Sequence, residues 1–159
     1  MRITIVAVGK IKEPYLTAGI AEYTKRLGPF CRLEIIEVGE ERMPQDPAPA
    51  EKAGVLSREG ERILKVVRPG SYLIVLAIDG TYLSSEAFAA KLDSLALSGH
   101  SDISFVIGGA FGLSPAVLTA AAERLSFSPM TFTHQMMRLI LVEQIYRGFK
   151  ISRGEPYHW

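Results

Sequence analysis

The stretch Ile103-Ser104-Phe105-Val106-Ile107-Gly108-Gly109-Ala110-Phe111-Gly112-Leu113-Ser114-Pro115 decides the reading of the fold. Its first five residues are almost wholly apolar and rich in β-branched and aromatic types, the pattern of a buried strand. Glycines at 108, 109 and 112 then end the strand. Ser114-Pro115 is a helix N-cap followed by proline at the first helical position, where its missing N–H costs nothing. A strand that passes through a glycine turn into a helix is the repeating step of an open α/β sheet, and such sheets bind ligands where strand ends and loops gather. Glycines there let backbone approach a ligand closely and leave N–H donors unshielded. The spacing Gly108-Gly109-x-x-Gly112 is neither the dinucleotide fingerprint nor a phosphate loop, because no Lys-Ser/Thr follows. A tight turn with no ligand explains the glycines equally well.

Strands and helices alternate outward from this point. Residues 3–8 are a β-branched strand closed by Gly9. A helix starts near Pro14, carries Tyr15, Ile20, Tyr23 and Leu27 as its apolar stripe, and stops at Gly28-Pro29. Residues 33–38 form a second strand. Residues 39–50 hold Pro44, Pro47 and Pro49 and read as a long mobile loop. A helix over 51–67 turns Val55, Ile63 and Leu64 inward. Residues 72–78 are uninterruptedly apolar, which predicts a central strand of a parallel sheet, and Asp79-Gly80 reads as a turn. Ser84 or Ser85 caps a helix with Phe88, Leu92 and Leu95 inside. A short helix from Ser114 ends near Arg124, residues 125–128 form a brief fifth strand, and a last helix runs from His134 to Ile151. The expectation is an α/β sandwich with a mainly parallel sheet, a single domain over 1–159 without internal repeats.

Composition removes several function classes. The 159 residues carry 18 Lys+Arg against 17 Asp+Glu, a net charge of +1, so nucleic acid is not held by bulk charge. One cysteine, Cys31, excludes an intramolecular disulfide and multi-cysteine zinc patterns. His100, His134 and His158 are too dispersed to suggest a metal. A reducing cytoplasm is the expected compartment. The apolar run 3–8 is too short for a signal-peptide core, and nothing reaches the ~20 apolar residues of a membrane span.

The last helix is apolar nearly all round. Met137, Leu141, Ile145 and Phe149 form one stripe; Met136 and Ile140 share another face with Glu143 and Arg147. A helix buried on two sides in so small a chain calls for a partner subunit. Glu143 and Arg147 form a favourable i,i+4 pair, either purely structural or an arginine held ready for a phosphate. The tail Arg153-Gly154-Glu155-Pro156-Tyr157-His158-Trp159 is dense in groups that stack on bases, bind phosphate or move protons; docking of a C-terminal strand is its bland alternative. His134 is a general base or a partner of nearby backbone, His100 and the Tyr23-Thr24-Lys25-Arg26 face are solvated, and Cys31 is a small packing residue.

The motifs Ile5-Val6-Ala7-Val8-Gly9-Lys10, Glu22-Tyr23-x-Lys25-Arg26-Leu27, Val106-Ile107-Gly108-Gly109-x-x-Gly112-Leu113, Leu125-Ser126-Phe127-Ser128-x-Met130-Thr131, His134-Gln135-Met136-Met137-Arg138, Glu143-Gln144-x-Tyr146-Arg147 and Pro156-Tyr157-His158 together resemble the ribosomal RNA large subunit methyltransferase H family, the smallest SPOUT methyltransferases. The resemblance spans essentially the whole chain. It implies an α/β fold with a C-terminal trefoil knot, a homodimer, and S-adenosylmethionine as cofactor with S-adenosylhomocysteine as product. It also implies methylation at N3 of a pseudouridine in the 23S rRNA stem-loop that meets the small subunit, on the assembled ribosome. Cofactor-binding positions carried over are Leu76, Gly108, Phe127, Ser128, Pro129, Met130, Thr131 and Phe132. Thr133 stands where relatives commonly have proline. Candidate bases for the weakly acidic N3–H are Glu143, His134 and His158, with His158 or a carboxylate acting through water favoured. Arg147 would hold a phosphate or a charged oxygen, and Tyr157 would stack on the base. Lys10, Lys12, Lys25, Arg26, Arg138, Arg147, Lys150 and Arg153 are candidates for the ribosome-contacting surface. Competing expectations are a SPOUT enzyme for transfer RNA or another ribosomal site, and a ribosome-associated factor without catalysis. A flavodoxin-like mononucleotide binder would need a phosphate loop that is absent.

Overall fold

A computed structural model describes residues 1–157. Five parallel strands, β1 (Arg2–Val8), β2 (Arg32–Val38), β3 (Tyr72–Tyr82), β4 (Asp102–Ile107) and β5 (Glu123–Ser126), lie in the order β2-β1-β4-β3-β5. The helices are α1 (Pro14–Leu27), α2 (Pro49–Val66), α3 (Ser85–Leu97), α4 (Pro115–Ala120) and α5 (His134–Ser152). Alternation along β1 sends Ile3, Ile5 and Ala7 to one face and Val6 and Val8 to the other. The first set packs with Leu27 of α1, Phe88, Leu92 and Leu95 of α3, and Leu141, Val142 and Ile145 of α5. The second packs with Ile63 of α2 and Val117 of α4. The result is three layers with β1 and β4 at the centre. Among the described residues no helix is long and apolar enough to cross a membrane.

Several expectations shift. The third strand is interior, as expected, paired with β4 on one side and β5 on the other. It does not turn at Asp79-Gly80, however: β3 continues to Tyr82 through an irregularity between Leu76 and Thr81. Gly80 is there for close approach, since a Cβ would sit 2.5 Å from the Leu125 carbonyl carbon and 2.7 Å from the Ser126 nitrogen. Ile20 and Leu27 of α1 and Val55 and Ile63 of α2 are buried as expected, but Tyr15 is 63% exposed while Leu16 is buried, and Leu64 is 38% exposed. α4 stops at Ala120, and Arg124 belongs to β5. The 39–48 segment is irregular but fastened: the Glu41 amide donates to Glu59 Oε2 (3.0 Å), Arg62 donates to the Gly39 carbonyl (2.9 Å), and Arg62 and Arg58 both pair with the Glu41 carboxylate. α2 begins at Pro49, with Glu51 accepting from the Ala48 amide.

Candidate active site at the two ends of the last helix

The carboxyl ends of β3, β4 and β5 and the start of α5 enclose a cavity of about 470 Å³, within the usual size range of small-molecule sites. Of the expected cofactor positions, Leu76, Gly108, Phe127, Ser128, Met130, Thr131 and Phe132 lie on its wall. Pro129 does not. Ser128 makes a local turn, accepting the Met130 amide on Oγ (2.9 Å) and the Ser126 hydroxyl on its carbonyl (3.2 Å), and residue 129 falls on the outside of that turn. Gly108 must be glycine, because a Cβ would lie 2.5 Å from the Gly112 carbonyl oxygen. Gly112 itself has φ +85, the left-handed region glycine favours.

The chemistry of this wall is specific by what it offers. It consists of apolar side chains, hydroxyls, glycine backbone, the His134 imidazole and the Gln135 amide, and carries no Lys, Arg, Asp or Glu among the described residues. A phosphate would find no counter-charge there. A nucleoside with an amino-acid tail would find an apolar slot and backbone donors, so the residues fit S-adenosylmethionine.

Thr133 caps α5: its Oγ1 accepts the Met136 amide at 3.2 Å. His134 follows, on the cavity wall. Its Nε2 lies 3.6 Å from where a Gly9 Cβ would be, and the Glu40 carboxylate reaches 3.2 Å from the same point. Partial burial holds the imidazole below its usual pKa, with Arg138 and Lys12 adding to the effect and Glu40 opposing it. Glu59, 5% exposed, sits under the glycine turn, its Oε1 3.2 Å from the Cβ position of Gly109. Burial first, then repulsion from Glu40 and Glu41, raises its pKa, against the Glu41 amide and Arg62. The sequence reading missed Glu59, because its position on α2 looks like one more solvated charge.

Arg147, Glu143 and Tyr157 gather elsewhere. Glu143 Oε1 accepts from Arg147 Nε (3.1 Å), Arg147 Nη2 (2.9 Å) and the Tyr157 hydroxyl (2.9 Å), while Oε2 accepts from Gln144 (2.8 Å). These donors favour the charged carboxylate, so they work against its taking up a proton as a base. The Arg147 guanidinium lies 4.9 Å above the Tyr157 ring. Tyr157 also meets the Tyr23 hydroxyl (3.1 Å) and the edge of Tyr146. Burial, then the hydrogen bonds that it shares with Tyr23 and donates to Glu143, hold the Tyr157 phenol well above its ordinary pKa, so it remains protonated near neutral pH. Tyr23, expected both on the apolar stripe of its helix and in a solvated stretch, packs against the core; its place in this cluster is unforeseen, since its partner is 134 residues away. His158 lies outside the described residues.

Two further expectations change. Arg138, proposed for the ribosome-contacting surface, is 1% exposed. It donates to Glu37 Oε2 (2.8 Å) and to the Gly9 carbonyl (3.0 Å), pinning α5 to the ends of β1 and β2. Cys31 is buried and its thiol is pushed up to about 11 by desolvation, so it is inert. His100 is exposed as expected, against the Tyr72 ring. No group of three or more His, Cys, Asp or Glu among the described residues is placed to hold a metal.

His134 on the cavity and Arg147 are thirteen positions apart on α5, about 20 Å of rise, while the nearest members of the two groups, Met137 on the cavity wall and Glu143, are six positions apart, about 9 Å. The cavity and the cluster are distinct stretches of one helix.

A family model described as "Predicted SPOUT methyltransferase" matches residues 1–158. A protein of Carboxydothermus hydrogenoformans named ribosomal RNA large subunit methyltransferase H is 57% identical over 158 residues, 99% of each chain. One of the same name from Pelotomaculum thermopropionicum is 56% identical over 157 residues, 99% of this chain and 98% of its own. Among solved structures, a putative methylase family protein from Neisseria gonorrhoeae superposes with TM-score 0.56 at 15% identity, covering 99% of this chain and 85% of that one. A probable methyltransferase from Bordetella pertussis gives 0.55 at 16%, covering 92% and 95%; both likenesses are of fold alone. With more than half of its residues identical to those relatives along nearly its full length, this chain belongs to the SPOUT methyltransferases and, within them, to the ribosomal RNA large subunit methyltransferase H family.

Proposed function

We propose that this protein methylates large-subunit ribosomal RNA in the cytoplasm, at N3 of a pseudouridine in the 23S stem-loop facing the small subunit, on assembled ribosomes. The names of its relatives supply the RNA class. The observation that carries the reading is the placement, along one helix, of a phosphate-free cavity at one end and an Arg-Tyr-carboxylate cluster toward the other. The family's methyl donor, S-adenosylmethionine, supplies a methyl group on an electrophilic sulfonium. Leu76, Gly108, Phe127, Ser128, Met130, Thr131 and Phe132 bind it; Pro129 shapes the loop from outside.

The acceptor N3–H is a weak acid and must lose its proton. Glu143 is committed to Arg147, Tyr157 and Gln144, which leaves it as the group that aims Arg147. His134, partly buried and held toward its neutral form, is the base within reach of the donor cavity, and His158 is the other. Arg147 holds a phosphate or the pyrimidine oxygen that gains charge, and Tyr157 orients the ring.

The donor cavity and the Arg147–Tyr157 cluster occupy successive stretches of α5, and the site is completed between two copies of the chain. A second copy, with its α5 crossing this one, brings its Arg147 and Tyr157 to the first chain's cavity. Ile78 (72% exposed), Met130 (76%) and Phe132 (43%) crowd the cavity mouth, an apolar rim suited to such a partner. The trefoil knot belongs to the same proposal, and the tight passage of residues 124–126 against Gly80 supports it.

The test is complementation. Arg147→Ala and Gly108→Ala homodimers both fail to methylate ribosomes, whereas an isolated heterodimer of the two has one intact site of two and recovers about half of the activity. A silent heterodimer would place both halves of the site in one chain. Mass mapping of the methylated nucleoside fixes the acceptor.

A further inference from the structure

Beyond Tyr157 the aromatic contacts continue. Tyr146 meets Tyr157 edge-on at 4.9 Å and Phe30 edge-on at 5.9 Å. Cations lie on this chain of rings. The Arg153 guanidinium sits 4.3 Å above Phe30, with Lys150 at 6.0 Å, and Arg26 lies 5.2 Å from the Tyr23 ring and 5.9 Å from Tyr146. Arg32 lines the shallow depression that opens beside Phe30. Two carboxylates meet these cations. Glu22 takes one edge of Arg26, and Glu155 holds Lys150 while standing 3.9 Å from Arg153. Four cations against two carboxylates give a local excess of +2, more than the whole chain's +1. Arg26 and Arg153 keep side-chain exposures of 42% and 51%, so both can be reached from solvent. Compensation of the helix dipoles at the ends of α1 and α5 explains cations there. It does not explain why the guanidiniums are stacked on rings and joined, ring to ring, to Tyr157.

We propose that Arg26, Phe30, Arg32 and Arg153 form a shelf that holds the RNA backbone leading into the Arg147–Tyr157 half of the site. This rests on the functional reading above and names the surface through which that site meets its substrate. The chemistry favours RNA over an acidic protein: flat guanidiniums pre-set on aromatic rings offer forked donors to phosphate and a stacking face to an unpaired base. The patch is small, which matches a chain of near-zero net charge that grips few phosphates.

The test is the triple variant Arg26→Gln/Arg32→Gln/Arg153→Gln beside the wild-type protein. The readouts are methyl transfer to ribosomes and binding to protein-free large-subunit RNA, across a salt series. The expected result is a KM for ribosomes raised about tenfold or more, kcat within about twofold and unchanged S-adenosylhomocysteine affinity, with a log–log salt slope shallower by about 0.9 for each phosphate no longer gripped. Arg153→Gln alone gives the same changes in smaller measure, and Arg→Lys at all three positions restores the slope but not the full affinity, because lysine lacks the planar fork. An unchanged KM and slope would overturn the shelf. So would weaker binding to ribosomes with unchanged binding to protein-free RNA, which would assign the surface to a ribosomal protein. A wild-type protein that methylates no ribosomal RNA would sink the functional reading instead, while the RNA-binding comparison would still decide the shelf.

Discussion

Replacing Arg138 by methionine separates two readings of one residue. As a surface cation it would touch RNA, and its loss would weaken substrate binding and nothing else. As the structure has it, the side chain is 1% exposed and joins α5 to β1 and β2. Methionine fills nearly the same volume, so the cavity penalty is small. The Gly9 carbonyl loses its charged donor in a buried place, which costs about 1–3 kcal/mol. Glu37 loses its ion partner but keeps the Ile11 amide, and at 40% side-chain exposure it is rehydrated, so its share is at most about 1 kcal/mol. Against this, the variant no longer desolvates a guanidinium whose Nε is buried without a hydrogen-bond partner. The net is a destabilisation of about 2–3 kcal/mol, a fall in Tm of roughly 5–10 °C for a chain of this length. Urea unfolding with an unchanged slope measures it directly. A variant within about 0.5 kcal/mol of wild type but with a several-fold higher KM for ribosomes would refute the structural role and restore the RNA contact.

Gly108→Ala forces a Cβ to within 2.5 Å of the Gly112 carbonyl, so the turn must shift; S-adenosylhomocysteine affinity by calorimetry should fall by about tenfold or more, roughly 1.4 kcal/mol. His134 has a folded pKa below its unfolded one. The folded state thus binds fewer protons than the unfolded state just below pH 6.5, and its stability falls as pH drops through that region. His134→Asn should lose this slope, and wild type and variant should show the same pH dependence above about pH 7.5; an unaltered slope between pH 5 and 7 would show that His134 is not desolvated.

The strands were legible because β-branched runs closed by glycine announce themselves, and the glycine turn because three glycines before Ser-Pro have few uses in a sheet. What failed did so through contacts distant in sequence. Asp79-Gly80 has the local form of a turn, but Gly80 is there to let residues 124–126 pass against β3. On α5 the buried positions are 138, 141, 142, 145 and 148, a regular helical face on which Arg138 holds the place of an apolar residue. Its charge hid it, and only Glu37, 101 residues earlier, makes that position tolerable. The roles of Tyr23 and Glu59 were invisible for the same reason: each is defined by a partner on another element. The residues around the cavity could be named in advance through the resemblance, and the last helix already put His134 and Arg147 thirteen positions apart; what the folded chain adds is that the strand ends close round the His134 end while Tyr157 and Tyr23 close on Arg147 and Glu143.

That separation also sorts ligands. The stacked cations Arg147 and Arg153 stand beyond Glu143, and among the described residues no lysine or arginine lines the donor cavity. A nucleoside triphosphate shares its adenosine with the methyl donor, and in the cell it competes for any adenosine slot. Seating it here would strip water from several negative charges and offer no cation in return, a penalty of several kcal/mol per buried unpaired charge. Selection against it would need no clash: the absence of lysine and arginine suffices. Displacement of labelled S-adenosylhomocysteine should therefore follow adenosine at millimolar levels and fail with adenosine triphosphate, the triphosphate binding at least about a hundredfold more weakly, some 2.7 kcal/mol. Equal competition by the two would mean that a cation reaches the cavity, and the division of labour along α5 would have to be abandoned.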